Sequence, residues 1–291
     1  GTVGINKDSL EIESVASRLK KDGYKIGIIV SDFCTKHACR CNVYMEMSVL
    51  DPKSVLLQGV TATDNADGDV TESIVVENVS LLDTDGTVSV SYAAFDAAGN
   101  VSKATRKVKY IDYQSPRLTL SRPLLYTNGS NFDVLSAIGA TDMIDGDIQH
   151  RIRATALGED SITTLGTHQV RFQVNNSLGD TMVLELPVEV YASNTYNASL
   201  TLTEYLTYLP VGANFDPASY LDTFTLRGEA TNLHKGLPGN YTLRTNGEVL
   251  TQQPGVYSVE YKVIYTIWND NNPDLNQEFT GYSKLIVVVE G

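Results

Sequence analysis

The chain has 291 residues but only three cysteines, one tryptophan and nine prolines, and each scarcity removes a class of protein. Cysteines this few, all within one octet, exclude a small scaffold stapled by dispersed disulfides. Long apolar runs are missing too. The longest, IGIIV at 26–30 and LIVVV at 285–289, have the length of strands, so no membrane span is expected within the chain. Basic residues are outnumbered, with 22 Lys and Arg against 35 Asp and Glu. The formal net charge of −13 argues against a phosphate backbone, so nucleic acid is not expected as a partner. None of the four histidines (His37, His150, His168, His234) lies in a metalloprotease motif. There is no GxSxG elbow, and no Gly-rich loop opens onto a helix. No catalytic residue is therefore assigned and the chain is not expected to be an enzyme; His168, in THQVRFQV, reads as a surface strand residue. The sequence shows no signal peptide or lipidation motif, and its first residue, Gly rather than Met, suggests a trimmed or processed form.

Against these absences, 42% hydrophobic residues with 20% charged is enough for packed cores, and the length allows two or three domains. Residues 1–41 stand apart. In DSLEIESVASRLKKDG (8–23) the apolar residues fall at helical spacing, acids lie in the first turn and Lys20, Lys21 and Gly23 at the end, which predicts a helix. The strand-like YKIGIIVSD follows. This helix and strand read equally as the remnant of an α/β unit or as part of the first β-domain. Next comes the octet CTKHACRC, with Cys34, Cys39, Cys41 and His37. Three states stand open for it: one local disulfide with a free thiol, three reduced thiols, or a Cys3His zinc site, the last disfavoured because one short loop rarely wraps four tetrahedral positions.

From residue 42 onward the texture is β: runs such as SIVVENVSLL, TVSVSYAAFD, MVLELPVEVY and YSVEYKVIYTIW, rich in Val, Ile, Thr and Tyr, lie between Asp-Gly, Asn-Gly and Pro-Gly turns. The chain also repeats itself. GVTATDNADGDV (59–70) aligns with IGATDMIDGDI (138–148), so that Asp64, Asp67, Gly68 and Asp69 correspond to Asp142, Asp145, Gly146 and Asp147 at an offset of 78 residues. Asp96, Gly99 and Asn100 of a later turn fall opposite Asn175 or Asn176, Gly179 and Asp180. A third copy keeps the closing strands, and its GANFDPASYL (212–221) matches GSNFDVLSAI (129–138), but it lacks the Asp-rich block and carries insertions. The period suits one sandwich of roughly 70–100 residues. The predicted fold is all-β, three tandem immunoglobulin-like sandwiches at 42–112, 113–192 and 193–291, joined by short polar linkers that favour a semi-rigid rod.

The string GVTATDNADGDVT, then FDAAGN, then KATRKVKY resembles the bacterial immunoglobulin-like modules known as DUF5011 or pesticidal-crystal-type domains, cadherin-like repeats of surface proteins and secreted enzymes. The first repeat carries the resemblance over about residues 42–112. The second departs from it at Met143, Ile144 and NNSLGD, and the third keeps only the flanking strands. The resemblance implies an extracellular or cell-surface location in bacteria and a role as spacer, adhesive arm or appendage. It implies no reaction.

Two candidate sites follow from the residues. Carboxylates at Asp64, Asp67, Asp69 and Asp96, and at Asp142, Asp145 and Asp147, offer the oxygen ligands that Ca2+ takes, although the spacing is not that of an EF-hand. The alternative is that these aspartates cap backbone amides in Asx and Asp-Gly turns. Trp268, with Tyr265 three residues before it and an Asn-rich insertion after it, is the candidate glycan platform; alternation along the strand puts the two on opposite faces, and Trp268 packed beneath the inserted loop or the next sheet is the alternative. Other tyrosines alternate along strands as half-buried sheet residues. Six Asn-x-Ser/Thr sequons, at Asn78, Asn100, Asn128, Asn175, Asn197 and Asn240, bear on function only in a eukaryotic secretory pathway. The expected function is a non-catalytic adhesive or spacer module whose partners are proteins or glycans on a cell surface or neighbouring domains. A glycan-binding module, or an appendage of a secreted carbohydrate-active enzyme, is the alternative.

Overall fold

The computed structural model describes residues 26–30, 45–130, 133–158, 162–269, 271 and 273–291. The helix expected over 8–23 and the octet holding Cys34, His37, Cys39 and Cys41 lie outside the described residues. What is described is a set of antiparallel β-sandwiches, with short 3-10 turns and no α-helix among these residues.

In the first repeat β1 (Ile26–Val30), β3 (Val60–Asp64) and β4 (Gly68–Asp69) form one sheet, in the order β1-β3-β4. The strands β2 (Met45–Met47), β5 (Val75–Val79), β6 (Thr87–Phe95) and β7 (Val101–Tyr110) form the other, in the order β2-β7-β6-β5. The alternation read from the sequence sets the faces: Val88, Val90, Ala104 and Val108 are buried between polar neighbours, and Tyr92, Ala93 and Ala94 are buried in succession. The strand at 26–30 pairs antiparallel with β3 from Ile26↔Asp64 to Val30↔Val60, and so is part of the first repeat's smaller sheet.

The second repeat copies this plan. Its β8 (Arg117–Leu120), β10 (Ile138–Asp142) and β11 (Gly146–Asp147) make the small sheet, and β9 (Leu125–Thr127), β12 (Arg153–Leu157), β13 (Gly166–Asn175) and β14 (Thr181–Tyr191) the larger one. In both repeats the opening strand changes sheets. β1 pairs with β3 and then β2 runs parallel to β7; β8 pairs with β10 and then β9 runs parallel to β14. In sequence, residues 31–44 lie between the two halves of that strand in the first repeat and residues 121–124 in the second.

The third repeat comprises β15 (Ala198–Leu202), β16 (Leu206–Pro210), β17 (Leu221–Leu226), β18 (Glu229–Asn232), β19 (Tyr241–Asn246), β20 (Gly255–Ile267) and β21 (Gln277–Glu290). They run in the order β18-β17-β15-β21-β20-β19, with β16 parallel to β21. Its core holds Leu200, Phe224, Tyr261, Leu285 and Val287. The match between GSNFDVLSAI and GANFDPASYL has a local cause. Asp133 accepts the amide of Leu135 at 3.1 Å and Asp216 that of Ala218 at 3.0 Å, so each Asp bonds the amide two residues on, beside a 3-10 turn.

The chain divides into two compact units, Gly1–Ser115 with Asn176–Asp180, and Pro116–Asn175 with Thr181–Gly291. Within the second unit the two sandwiches are not independent beads. Leu206, Ile286 and Val288 of the third repeat are buried in the same apolar cluster as Leu118, Phe172 and Leu186 of the second. The run LIVVV explains this: β21 is apolar at successive positions, so it buries one face in its own core and the other against its neighbour. Polar contacts close the joint. The Tyr208 hydroxyl accepts the Leu118 amide at 3.0 Å and donates to the Leu118 carbonyl at 3.1 Å, while Arg117 lies over the Tyr208 ring and pairs with Glu290 at 2.6 Å.

Candidate functional site

Asp64 ends β3, Asp67 lies in the Asp-Gly turn to β4, and Asp96 follows β6, so hairpins from the two sheets of the first repeat meet at one rim. Asp64, Asp67 and Asp96 each offer a carboxylate oxygen within 4.8 Å of the others, and they are the only such group of three acidic, His or Cys side chains among the described residues. Asp64 is only 6% exposed. Its Oδ1 accepts the amides of Ala66 at 2.7 Å and Asp67 at 3.0 Å, and Asp67 Oδ2 accepts that of Ala97 at 2.9 Å. Asp96 takes the Asn100 backbone amide at 2.7 Å and its side-chain amide at 2.6 Å; those bonds hold its carboxyl below the usual aspartate range, the Asn100 side chain first. Gly68 (φ +76) and Gly99 (φ +82) supply the left-handed residues both turns need. The amide-capping reading is therefore realised here, and one oxygen each of Asp64 and Asp67 is left outside these bonds. Asp69 stands outside the group, its carboxylate turned to Thr71, whose hydroxyl and amide lower its pKa.

The second repeat keeps the turn but changes the charges. Asp142 Oδ1 accepts the amides of Ile144 and Asp145, each at 2.9 Å, as Asp64 does in the first, and Asp147 accepts Gln149 N. Asp145, the counterpart of Asp67, pairs instead with Arg151 at 2.5 Å. At the 78-residue offset Arg151 stands where the first repeat has Ser73. The position of Asp96 is taken by Asn176, whose Oδ1 accepts the amides of Leu178 and Asp180 at 3.0 Å and whose Nδ2 donates to the Tyr113 hydroxyl at 2.7 Å. The sequence left Asn175 and Asn176 as alternatives; the turn bonds from Asn176 N to Asp180 O and Gly179 N to Asn176 O match those of Asp96 with Asn100 and Gly99 and select Asn176. One acid is thus neutralised by a guanidinium and another replaced by an amide. The signal was present in the sequence as a basic residue six places after Asp145.

Trp268 and Tyr265 are not brought together. Tyr265 sits in an aromatic group with Tyr241 (ring centroids 4.8 Å apart), Phe279 and Phe224, packed on the third core. Trp268 is 64% exposed, so it does not pack beneath the inserted loop. His168 is a half-buried strand residue whose Nε2 lies 2.8 Å from Thr164 O. A shallow depression of about 450 Å³ near the second Asp-Gly hairpin is lined by Leu135, Asp147, Gln149, His150 and Ile152.

No protein-family model matches the chain, and no curated protein matches it. Solved structures do. One from Clostridium perfringens ZmpB, holding CBM51-2 in complex with GlcNAc and INT domains, is 12% identical over 60% of this chain and 41% of that one, with a TM-score of 0.25. Protocadherin Gamma B2 extracellular cadherin domains 1-5 are 12% identical over 80% of this chain and 55% of that one, at 0.20. Drosophila N-cadherin EC1-3 is 13% identical over 75% and 88%, at 0.27. The chain thus spans less than two thirds of the first two of these. At such scores the likenesses bear on neither partner nor activity. No helix among the described residues is long and apolar enough to cross a membrane.

Proposed function

We propose that this chain is a non-catalytic extracellular module of immunoglobulin-like repeats that serves as an adhesive or structural spacer on a bacterial surface, and that the first repeat takes a weakly held Ca2+ at its rim. The observation that carries the reading is the contrast between joint and rim. The second and third sandwiches share a core, as a spacer requires, while Asp64, Asp67 and Asp96 of the first repeat converge at its rim.

Three carboxylates, with solvent oxygens completing the shell, would suit the six to eight oxygen ligands of Ca2+, and a site on exposed turns belongs in the weak, roughly 10⁻⁴–10⁻³ M range of extracellular modules. At ten times its dissociation constant, calcium is expected to stabilise the first unit by about 1.4 kcal/mol, a rise of about 4–8 °C in its melting temperature. Calorimetric titration and thermal melts check this, with Asp67→Asn and Asp96→Asn abolishing heat and shift alike. An unchanged melting temperature for the unaltered chain in millimolar calcium would remove the ion from the proposal.

A second reading, glycan binding, is favoured by one observation, the exposure of Trp268. An exposed indole stacks on the apolar face of a sugar ring. A glycan array probed with the chain and with Trp268→Ala separates the two readings. Retention of a glycan that the variant loses favours glycan binding, and retention of none favours the spacer.

A further inference from the structure

Two Asn-Gly pairs occur in the sequence, Asn128–Gly129 and Asn246–Gly247. This dipeptide is chemically distinctive because glycine, without a Cβ, lets its own amide nitrogen approach the preceding side chain. That nitrogen attacks Cγ of the asparagine, the bond from Cγ to the side-chain nitrogen breaks, and ammonia leaves with the transferred proton as a five-membered succinimide closes. Water then opens the ring at either carbonyl, to aspartate or to isoaspartate, whose main chain carries one extra methylene.

The fold treats the two pairs differently. Asn128 is exposed, in a turn closed by Ser130 N to Thr127 O at 3.0 Å. Gly129 has φ +81, and a Cβ there would meet nothing within 4 Å. Asn128 itself does not have positive φ, which marks the turn as type II. The peptide between its two central residues can turn over while the closing hydrogen bond is kept. The Asn128 backbone amide donates to Tyr191 O at 2.8 Å, and no hydrogen bond from its side chain is found among the described residues. Asn246 is the last residue of β19, in register with Glu260, and its Nδ2 donates to Glu260 Oε2 at 3.1 Å. Gly247 is pressed against β20, where a Cβ would lie 2.2 Å from Ser258 O. Ring closure at 246 must first break the side-chain bond and lift this backbone away.

We infer that Asn128 is a site of spontaneous modification through a succinimide, and that the fold protects Asn246. The product adds one negative charge to the formal −13 and, in its isoaspartate form, lengthens the main chain directly after β9. This rests on the turn alone and is independent of the proposed function.

The test is peptide mapping of the intact chain after prolonged incubation in mildly alkaline buffer, beside a sample held in concentrated urea. A gain of about 1 Da, the exchange of a side-chain NH2 for OH, is expected at position 128, with isoaspartate detected by enzymatic methylation. In the folded chain position 246 is expected to react at least about tenfold more slowly, the factor that 1.4 kcal/mol of lost hydrogen bonding supplies. In urea the two rates converge. Asn128→Gln removes the signal at 128 without touching 246. Equal rates at both positions in the folded chain, or reaction at 128 only after unfolding, would overturn the inference.

Discussion

Lys284→Ala is expected to destabilise the second unit by about 3–5 kcal/mol, the usual effect of removing one partner of a buried ion pair. The Lys284 side chain is 7% exposed, and its Nζ lies 2.5 Å from Glu189 Oε2 and 3.8 Å from Glu260. The Tyr282 hydroxyl donates to the same Glu189 oxygen at 3.0 Å, and Tyr196 stacks on the Tyr282 ring at 4.6 Å. Glu189 belongs to the last strand of the second sandwich and Lys284 to the last strand of the third, so the pair spans the joint. Alanine at 284 leaves a carboxylate only 17% exposed without its cation. Because β21 also carries Ile286 and Val288 into the shared cluster, the loss should be felt on both sides of the joint. Urea unfolding measures it as a lowered midpoint. Lys284→Met combined with Glu189→Leu should recover most of the loss, since apolar replacements of a buried pair are often neutral or better. A single-variant cost below about 1 kcal/mol, the size of a surface pair, would show that the joint does not rest on this contact.

Raising the pH beyond about 10, the ordinary tyrosine value, is expected to unfold the second unit. Burial pushes the Tyr208 and Tyr196 hydroxyls up to about 12. Tyr282, buried beside Glu189, and Tyr261, buried in the third core, are pushed further in the same direction. A folded-state value above the unfolded one means that the native chain holds its protons longer. The stability linked to these groups is therefore complete below about pH 10 and is lost as the pH rises through 12. Phenolate absorbance followed together with circular dichroism checks this: the buried tyrosines should ionise only as the β signal disappears. Ionisation of all sixteen near pH 10 with the signal intact would contradict the packing described here.

Most of the β architecture was legible because alternation and turn residues are local. The 78-residue offset placed β10 and β11 against β3 and β4, and both strand pairs and Asp caps follow it. The carboxylate cluster was legible in part: three of the four acids proposed for the first repeat converge, while Thr71 draws Asp69 away. Two features needed a reading beyond local pattern. LIVVV has the length of a strand, but its unbroken apolar run also means that both faces are covered, and Lys284 just before it has a part-buried partner. That partner, Glu189, is 95 residues away, and no periodicity connects the two. The exposure of Trp268 was equally out of reach, because a strand end under an inserted loop can face either way.

The contact of Tyr208 with Leu118 has a consequence for association. β8 is an outer strand of its sheet, and outer strands invite any passing extended chain to add to them. One phenol hydroxyl occupies both the outward amide and the outward carbonyl of Leu118, the two groups such a chain would seize. A side chain thereby does the work of a missing strand, and sheet growth is blocked at that border.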